Sequence, residues 1–194
     1  MLLENCSLCE LSFKCGQYKH FFNGEEYNLK PILNNLDFKE EVDIMIVRRI
    51  PNSDDAKMNQ PLSDKAGLAM RESLKKHNIK YTSTYLNLCR TYNDEHQTKE
   101  EIKSCSKYLK EQINELKPKL IILFGKFTWD NFEKGFDMSF KKGKDKVYKA
   151  KNIKIIGMAE PRSFYVRKIN INKIDDFEIL FERLCKNMNK IINI

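Results

Sequence analysis

No run in the 194 residues approaches the roughly 20 consecutive apolar side chains that a membrane-spanning helix needs. The start of the chain also lacks the charged segment followed by an apolar stretch that marks a secretory signal. Together these absences lead to the expectation of a cytoplasmic protein with no membrane partner. No internal repeat and no low-complexity linker divides the sequence, so residues 1–194 are expected to form a single domain with an N-terminal arm. Histidine is scarce: His20, His77 and His96 sit in polar contexts, none at metal or catalytic spacing, and all three read as surface residues. The one tryptophan, Trp129, reads as packing for its helix. What the chain does contain is 41% hydrophobic residues, 11% of all residues being aromatic, which supports one sizeable core and excludes a disordered tail. Lys and Arg (35) exceed Asp and Glu (27), and the net charge of +8 favours a polyanionic partner, although a lysine-rich composition alone gives the same surplus.

Four short runs rich in Ile, Leu and Val, at 42–47, 83–88, 120–124 and 153–158, read as buried strands. Helical periodicity lies between and after them, at 65–77, 99–116, 127–134 and 173–192. In the second helix Ile102, Cys105, Leu109, Ile113 and Leu116 keep one face apolar, and Asp175, Asp176 and Glu178 suit the first turns of the last. Strands alternating with helices imply an α/β fold of three layers, α/β/α, around a four-stranded, mostly parallel sheet. Functional loops belong at the carboxyl ends of such strands. Residues 141–151 carry six lysines and one acid, and read as a flexible basic loop.

Six cysteines without a secretory signal suggest a reducing compartment, where clustered thiols bind metal more often than they form disulfides. Cys6 and Cys9 form a C-x-x-C; Cys89 and Cys105 lie far downstream and are widely spaced. Zinc ribbons usually bring a second close pair, which is lacking here, so a cluster held by scattered thiolates fits at least as well as zinc. Cys89 and Cys105 as small buried residues is the simpler alternative.

The neighbouring residues resemble the iron–sulfur (family 4) uracil-DNA glycosylases. The resemblance begins at Cys6 and Cys9 with Leu11 following, and continues through Thr84, Cys89-Arg90, Glu100-Glu101-Ile102 and Cys105. Leu116, Pro118, Ile121, Ile122, Leu123 and Gly125 then match the family's L-x-P-x-x-I-x-x-L-G stretch with one residue of play. It implies a uracil-DNA glycosylase-like fold, DNA as partner to a monomer, and a [4Fe–4S] cluster on Cys6, Cys9, Cys89 and Cys105. Cys15 and Cys185 fall outside the pattern. The cluster's implied role is structural, tying the N-terminal arm to the second strand and the helix after it.

The motifs that handle the base depart from the family. Where it has G-E-A/G-P-G, then acids, then G-R-P-F, this chain has Arg48, Arg49, Ile50, Pro51 and Asn52, then Asp54 and Asp55, then Asn59, Gln60, Pro61 and Leu62. Arg49 stands for the motif's carboxylate and Leu62 for the aromatic that stacks on a flipped uracil. Tyr85 replaces the Asn after the strand Thr, and Glu160 replaces the His of H-P-S in Glu160-Pro161-Arg162-Ser163. Uracil is therefore expected to be a poor substrate.

Two functions fit the pattern. In the first, a DNA glycosylase has a pocket (Arg49, Ile50, Pro51, Leu62, Tyr85) rebuilt for another base. Glu160 would accept from an exocyclic amine or donate a proton to the leaving base, and Asp54 or Asp55 would orient water or stabilise the oxocarbenium-like sugar. That chemistry points to a modified cytosine, hydroxymethylated or glucosylated, as in viral DNA. In the second, a catalytically inactive module keeps DNA binding and serves a replication or polymerase complex. Phosphate contacts are expected from Arg48, Arg90, Lys126, Lys142, Lys144, Arg162, Ser163 and Arg167, with Phe164 or Tyr165 as a wedge. Arg48 and Arg49 pairing with Asp54 and Asp55 in a closed network is the structural alternative.

Overall fold

A computed structural model describes residues 9, 19–22, 25–28, 41–89, 97–136, 141–142, 147–150, 153–161 and 173–193. Its parallel core is made of β3 (Ile44–Arg48), β4 (Tyr81–Tyr85), β5 (Leu120–Phe124) and β8 (Ile153–Met158), in the order β4-β3-β5-β8. The central β3 and β5 are buried along their whole length, which is why they read in the sequence as unbroken apolar runs rather than as alternating patterns. Ile44 pairs with both Tyr81 and Leu120, and Leu120 in turn with Lys154, so the four carboxyl ends finish side by side.

The sheet does not stop at four strands. β6 (Lys141–Lys142) and β7 (Val147–Ala150) extend it to six by antiparallel pairing beyond β8. The basic segment at 141–151 is thus not a free loop over its described part: Val147, Tyr148, Lys149 and Ala150 pair with Ile156, Ile155, Lys154 and Ile153, because β8 would otherwise present an open edge. A separate antiparallel pair, β1 (Lys19–Phe22) with β2 (Glu25–Asn28), has no counterpart in the sequence expectations.

Helices cover both faces. On one, α2 (Lys65–Lys76), α5 (Lys173–Lys186) and α6 (Met188–Asn193) bring Met70, Leu74, Phe177, Phe181 and Met188 onto Ile44, Ile46, Ile122 and Phe124. On the other, α3 (Lys99–Leu116) and α4 (Lys126–Phe136) bring Leu109, Ile113 and Phe132 onto Met45, Val47, Ile121 and Leu123. Successive residues of β3 thereby face opposite layers, as the pleat requires. α3 starts at a capping box, Thr98 accepting from the Glu101 N–H while the Glu101 carboxylate accepts from the Thr98 N–H. Among the described residues no helix is long and apolar enough to cross a membrane.

A short helix, α1 (Ser53–Met58), fills the connection after β3. Asn52 caps it with Asp55 as its box partner, and the left-handed Asn59 closes it. β3 leads through α1 and α2 to β4 on one side, while its other neighbour is β5, so the chain reverses direction across the sheet at β3. The crevice outside the carboxyl ends at such a switch point is where open α/β sheets place their sites.

Candidate active site

Arg48, the last residue of β3, is buried, with only 5% of its side chain exposed. A guanidinium there requires partners, and three carboxylates supply them. Asp64 takes it with both oxygens, Nη1 to Oδ1 at 3.3 Å and Nη2 to Oδ2 at 3.1 Å. Nη2 also donates to Oε1 of Glu160 at 3.1 Å, and Oδ2 of Asp55 lies 3.7 Å from Nη1. Burial works against the Arg48 charge, but Glu160, Asp64 and Asp55 outweigh it and raise its pKa.

Each acid arrives from a different element. Asp55 is fully buried in the first turn of α1; its Oδ2 accepts from the Asn52 N–H and its Oδ1 from the Ser63 N–H. Asp64 caps α2, its Oδ1 accepting from the Gly67 N–H at 2.8 Å. Gly67 is required beside it, because a Cβ at that position would lie 2.4 Å from the Leu62 carbonyl carbon. Glu160 follows β8 and lies against Gly125, whose φ of 85° and hydrogen bond to the Met158 carbonyl turn the chain from β5 into α4. Glu160 is the most open of the three acids, with 30% of its side chain exposed. Burial raises its pKa; Arg48 pulls the other way, and Asp64 and Asp55 add to the rise.

Tyr85, at the end of β4, joins this group from the remaining side. Its hydroxyl is buried close to Asp55, and burial together with Asp55 raises its pKa against the pull of Arg48. The site thus gathers the ends of β3, β4 and β8 with the connection between β3 and α2. Asp55, Tyr85 and Glu160, expected from the sequence, are brought together. Asp64 was missed, although an acid three residues before Gly67 at the start of a helical pattern is an N-cap signature.

Other expectations place differently. Arg48, expected to contact phosphate, is buried, and both of its Nη atoms face carboxylates instead, those of Asp64, Glu160 and Asp55. Leu62 belongs to the core with Ile44, Ala66 and Met70 and takes a left-handed φ of 58°, so its side chain packs beneath the site rather than lining a base pocket. Arg49 is half-buried; its Nε donates to Gln97 at 2.8 Å and its guanidinium lies 4.8 Å from the Phe127 ring centroid, while of the pairs in the structural alternative Arg48 with Asp55 is present at 3.7 Å. Ile50 is half-buried, Pro51 is buried and Asp54 is exposed on α1. Lys126 is exposed and pairs with Asp130 one turn on. His77 is not a bare surface residue: its Nε2 lies 2.8 Å from Glu182. Lys142 is in β6; Cys6, Cys15, Arg90, His96, Lys144, Arg162, Ser163, Phe164, Tyr165 and Arg167 lie outside the described residues.

A family model described as the uracil DNA glycosylase superfamily matches residues 37–184, which include every element from β3 to the greater part of α5. The chain belongs to the uracil DNA glycosylase superfamily. It is also similar to the type-4 uracil-DNA glycosylase of Archaeoglobus fulgidus, at 27% identity over 138 residues covering 66% of this chain and 69% of that protein. Membership and this relative together support a DNA glycosylase, a hydrolase of N-glycosyl bonds.

Within this superfamily member the described cysteines separate into two settings. Cys9 packs against the buried Cys89 beside Ala56, although the two are far apart in the chain, and Cys105 is buried on α3. The meeting of Cys9 and Cys89 from distant segments brings together soft donors of the kind a soft metal or an iron–sulfur cluster takes. Among the described residues no three His, Cys, Asp or Glu side chains are grouped to hold a metal ion; Cys6, the partner expected with Cys9, lies beyond them. Cys185 is buried in the layer of α5, where burial and Glu182 push its thiol up to about 12, so it stays protonated rather than offering a thiolate.

Proposed function

We propose that this protein is a DNA glycosylase that flips out a base other than uracil, a hydroxymethylated or glucosylated cytosine, and hydrolyses its N-glycosidic bond to leave an abasic site. The observation that carries this reading is Glu160: a partly open acid whose pKa is raised, fixed by Arg48 at the carboxyl end of the sheet. Cytosine leaves poorly unless protonated, and an acid whose pKa burial raises is better placed to supply that proton than an ordinary surface carboxylate. Glu160 gives its proton to the base as the bond breaks, and recovers one from the water that adds to the sugar. Asp64 acts through Arg48, holding the guanidinium that aims Glu160. Asp55, with both oxygens engaged, is a positioning residue, while the exposed Asp54 on the same helix is the candidate for orienting water. Arg49, Ile50, Pro51 and Tyr85 would border the base, with Leu62 supporting them from below.

DNA would be held by phosphate contacts from Arg90, Lys126, Lys142, Lys144, Arg162, Ser163 and Arg167, with selectivity left to the flipped base. Cys6, Cys9, Cys89 and Cys105 would hold a [4Fe–4S] cluster, with zinc as the alternative. When bound, that group supplies a structural crosslink between the N-terminal arm, the end of β4 and α3.

A second reading, a DNA-binding module without activity, is favoured by the engagement of both Arg48 Nη atoms and both Asp55 oxygens within the protein itself. Strand cleavage separates the two. Duplexes carrying uracil, 5-hydroxymethylcytosine or its glucosylated form are incubated with the protein and treated with alkali. Breaks at a modified cytosine and not at uracil are expected. No breaks at any modified base, with affinity for plain DNA retained, would replace the enzyme by the binding module.

A further inference from the structure

Leu62 packs into the core, so the position expected to stack on a flipped base offers it no surface. Arg49 supplies a different one. Its Cα stands about 3.8 Å from that of Arg48, yet Arg48 turns to the carboxylates and Arg49 to Gln97 and Phe127. Three elements hold it there. The Arg49 carbonyl accepts from the Asn87 N–H, beyond β4, at 3.2 Å. Its Nε donates at 2.8 Å to the buried Gln97, just before α3, and its guanidinium carbon lies over the ring of Phe127, in the first turn of α4, 4.8 Å from the centroid. Ordering an arginine costs much rotamer freedom, and a cation–π contact near the surface returns only part of it. Arg49 and Phe127 are both only half-buried, so this fixed pair reaches solvent.

The pair also spans the crevice at the switch point. The chain leaves β3 toward the layer of α2 and leaves β5 toward the layer of α4, and Arg49 and Phe127 meet between the two departures. Gly125, two residues before Phe127, lies against Glu160, a Cβ there standing 3.5 Å from the Glu160 Cβ. The stacked pair and the proton donor therefore border one crevice. Resting on the glycosylase reading above, we propose that Arg49, seated on Phe127, is the stacking surface for the flipped base, holding the planar ring by its face while Glu160 meets its edge. Bases stack on guanidinium planes as they do on aromatic rings. Face-on stacking tolerates substituents at the rim of the base, which suits an enlarged cytosine. It needs a flat partner, which lysine is not. The base stays neutral until Glu160 gives its proton, so the Arg49 charge does not repel it before the bond breaks.

The test compares affinity for two duplexes at one salt concentration. One carries 5-hydroxymethylcytosine on a 2′-fluorinated sugar, which resists cleavage; the other carries a tetrahydrofuran abasic site, which has no base to stack. Arg49→Lys is expected to weaken binding of the first by about tenfold and of the second by less than about twofold, because lysine keeps the charge and loses the plane. Phe127→Leu, which removes the ring and keeps an apolar side chain, is expected to weaken the first by about threefold and to leave the second unchanged. Equal losses on both duplexes would mean that Arg49 holds the DNA backbone or the fold rather than the base, and no loss on either would make it a plain surface residue; each overturns the stacking. Base release by wild type alongside either result leaves the glycosylase reading standing. Selective loss on the first duplex without base release by wild type upholds the stacking and overturns the glycosylase.

Discussion

Arg48 and Asp64 meet through two parallel contacts, 3.3 and 3.1 Å, across the whole of α1. Because the same Asp64 oxygen that meets Nη1 caps α2, the start of that helix and the position of Glu160 are joined through one guanidinium. Truncating it leaves three acids without their cation. Arg48→Met is expected to destabilise the fold by about 3–5 kcal/mol, the usual scale for breaking a buried ion pair from one side. Arg48→Lys should recover only part, lacking the planar fork that meets both oxygens. Urea denaturation reads both; a loss under about 1 kcal/mol for Arg48→Met would mean that the network does not hold the loops.

Gly67 makes a sharper packing prediction. A methyl group there would stand 2.4 to 2.6 Å from three backbone atoms of Leu62, none at the end of a flexible side chain. Gly67→Ala should cost about 1–3 kcal/mol or more and lower the melting temperature, although alanine is the better helix former. An unchanged or raised melting temperature would show that the turn from Leu62 to Asp64 yields easily.

Two glutamates pull stability in opposite directions with pH. Lys76 and His77, with Ser73, hold Glu182 down to about 2 from an ordinary 4.5, so its contribution is complete above the ordinary value and is lost as pH falls toward 2. Glu160 is raised by burial and by Asp64 and Asp55 against Arg48, so its contribution is complete below the ordinary value and is lost as pH rises through the raised one. Relative to wild type, Glu182→Gln should flatten the loss of stability between about pH 5 and 2. The stability of wild type relative to Glu160→Gln should shrink as pH rises above the ordinary carboxylate range. Denaturation curves across pH 2–8 check both signs, and the reverse trend in either would contradict the assignment.

The thiols give a compositional test. Anaerobically purified protein is expected to contain iron and sulfide, and Cys89→Ser to lose both and to expose the segment around Cys9 to proteolysis. Zinc in equal molar amount to the chain, with no iron, would replace the cluster by a zinc site.

Much of the fold was legible because its sheet is buried on both sides. Runs such as Leu120–Phe124 have no other use in a chain of this kind, and the helix at 99–116 matches α3 end to end because a capping box and a proline bracket it. The run at 83–88 was displaced: β4 is Tyr81–Tyr85, while Leu86 and Asn87 leave the strand and bond back to the Arg48 and Arg49 carbonyls. Hydrophobicity marks burial, and burial continues past the strand. The last helix breaks at Asn187, whose side chain binds the Arg183 carbonyl, a local competition that apolar spacing does not register. Glu160, Asp55 and Tyr85, singled out at motif positions whose residues have changed, meet around Arg48 because those positions keep their place in the fold. That Arg48 faces inward and that Asp64 clamps it were not, since the partner of a charge depends on tertiary placement rather than on sequence spacing.

The most direct measurement is the single-turnover rate of base release from a duplex carrying 5-hydroxymethylcytosine, for wild type and Glu160→Gln, between pH 5 and 8. A proton-donating Glu160 gives a wild-type rate that falls as pH rises and a variant slower by about 10²–10⁴-fold at the acid end. Equal rates for the two proteins, or a wild-type rate indifferent to pH, would remove Glu160 from the chemistry.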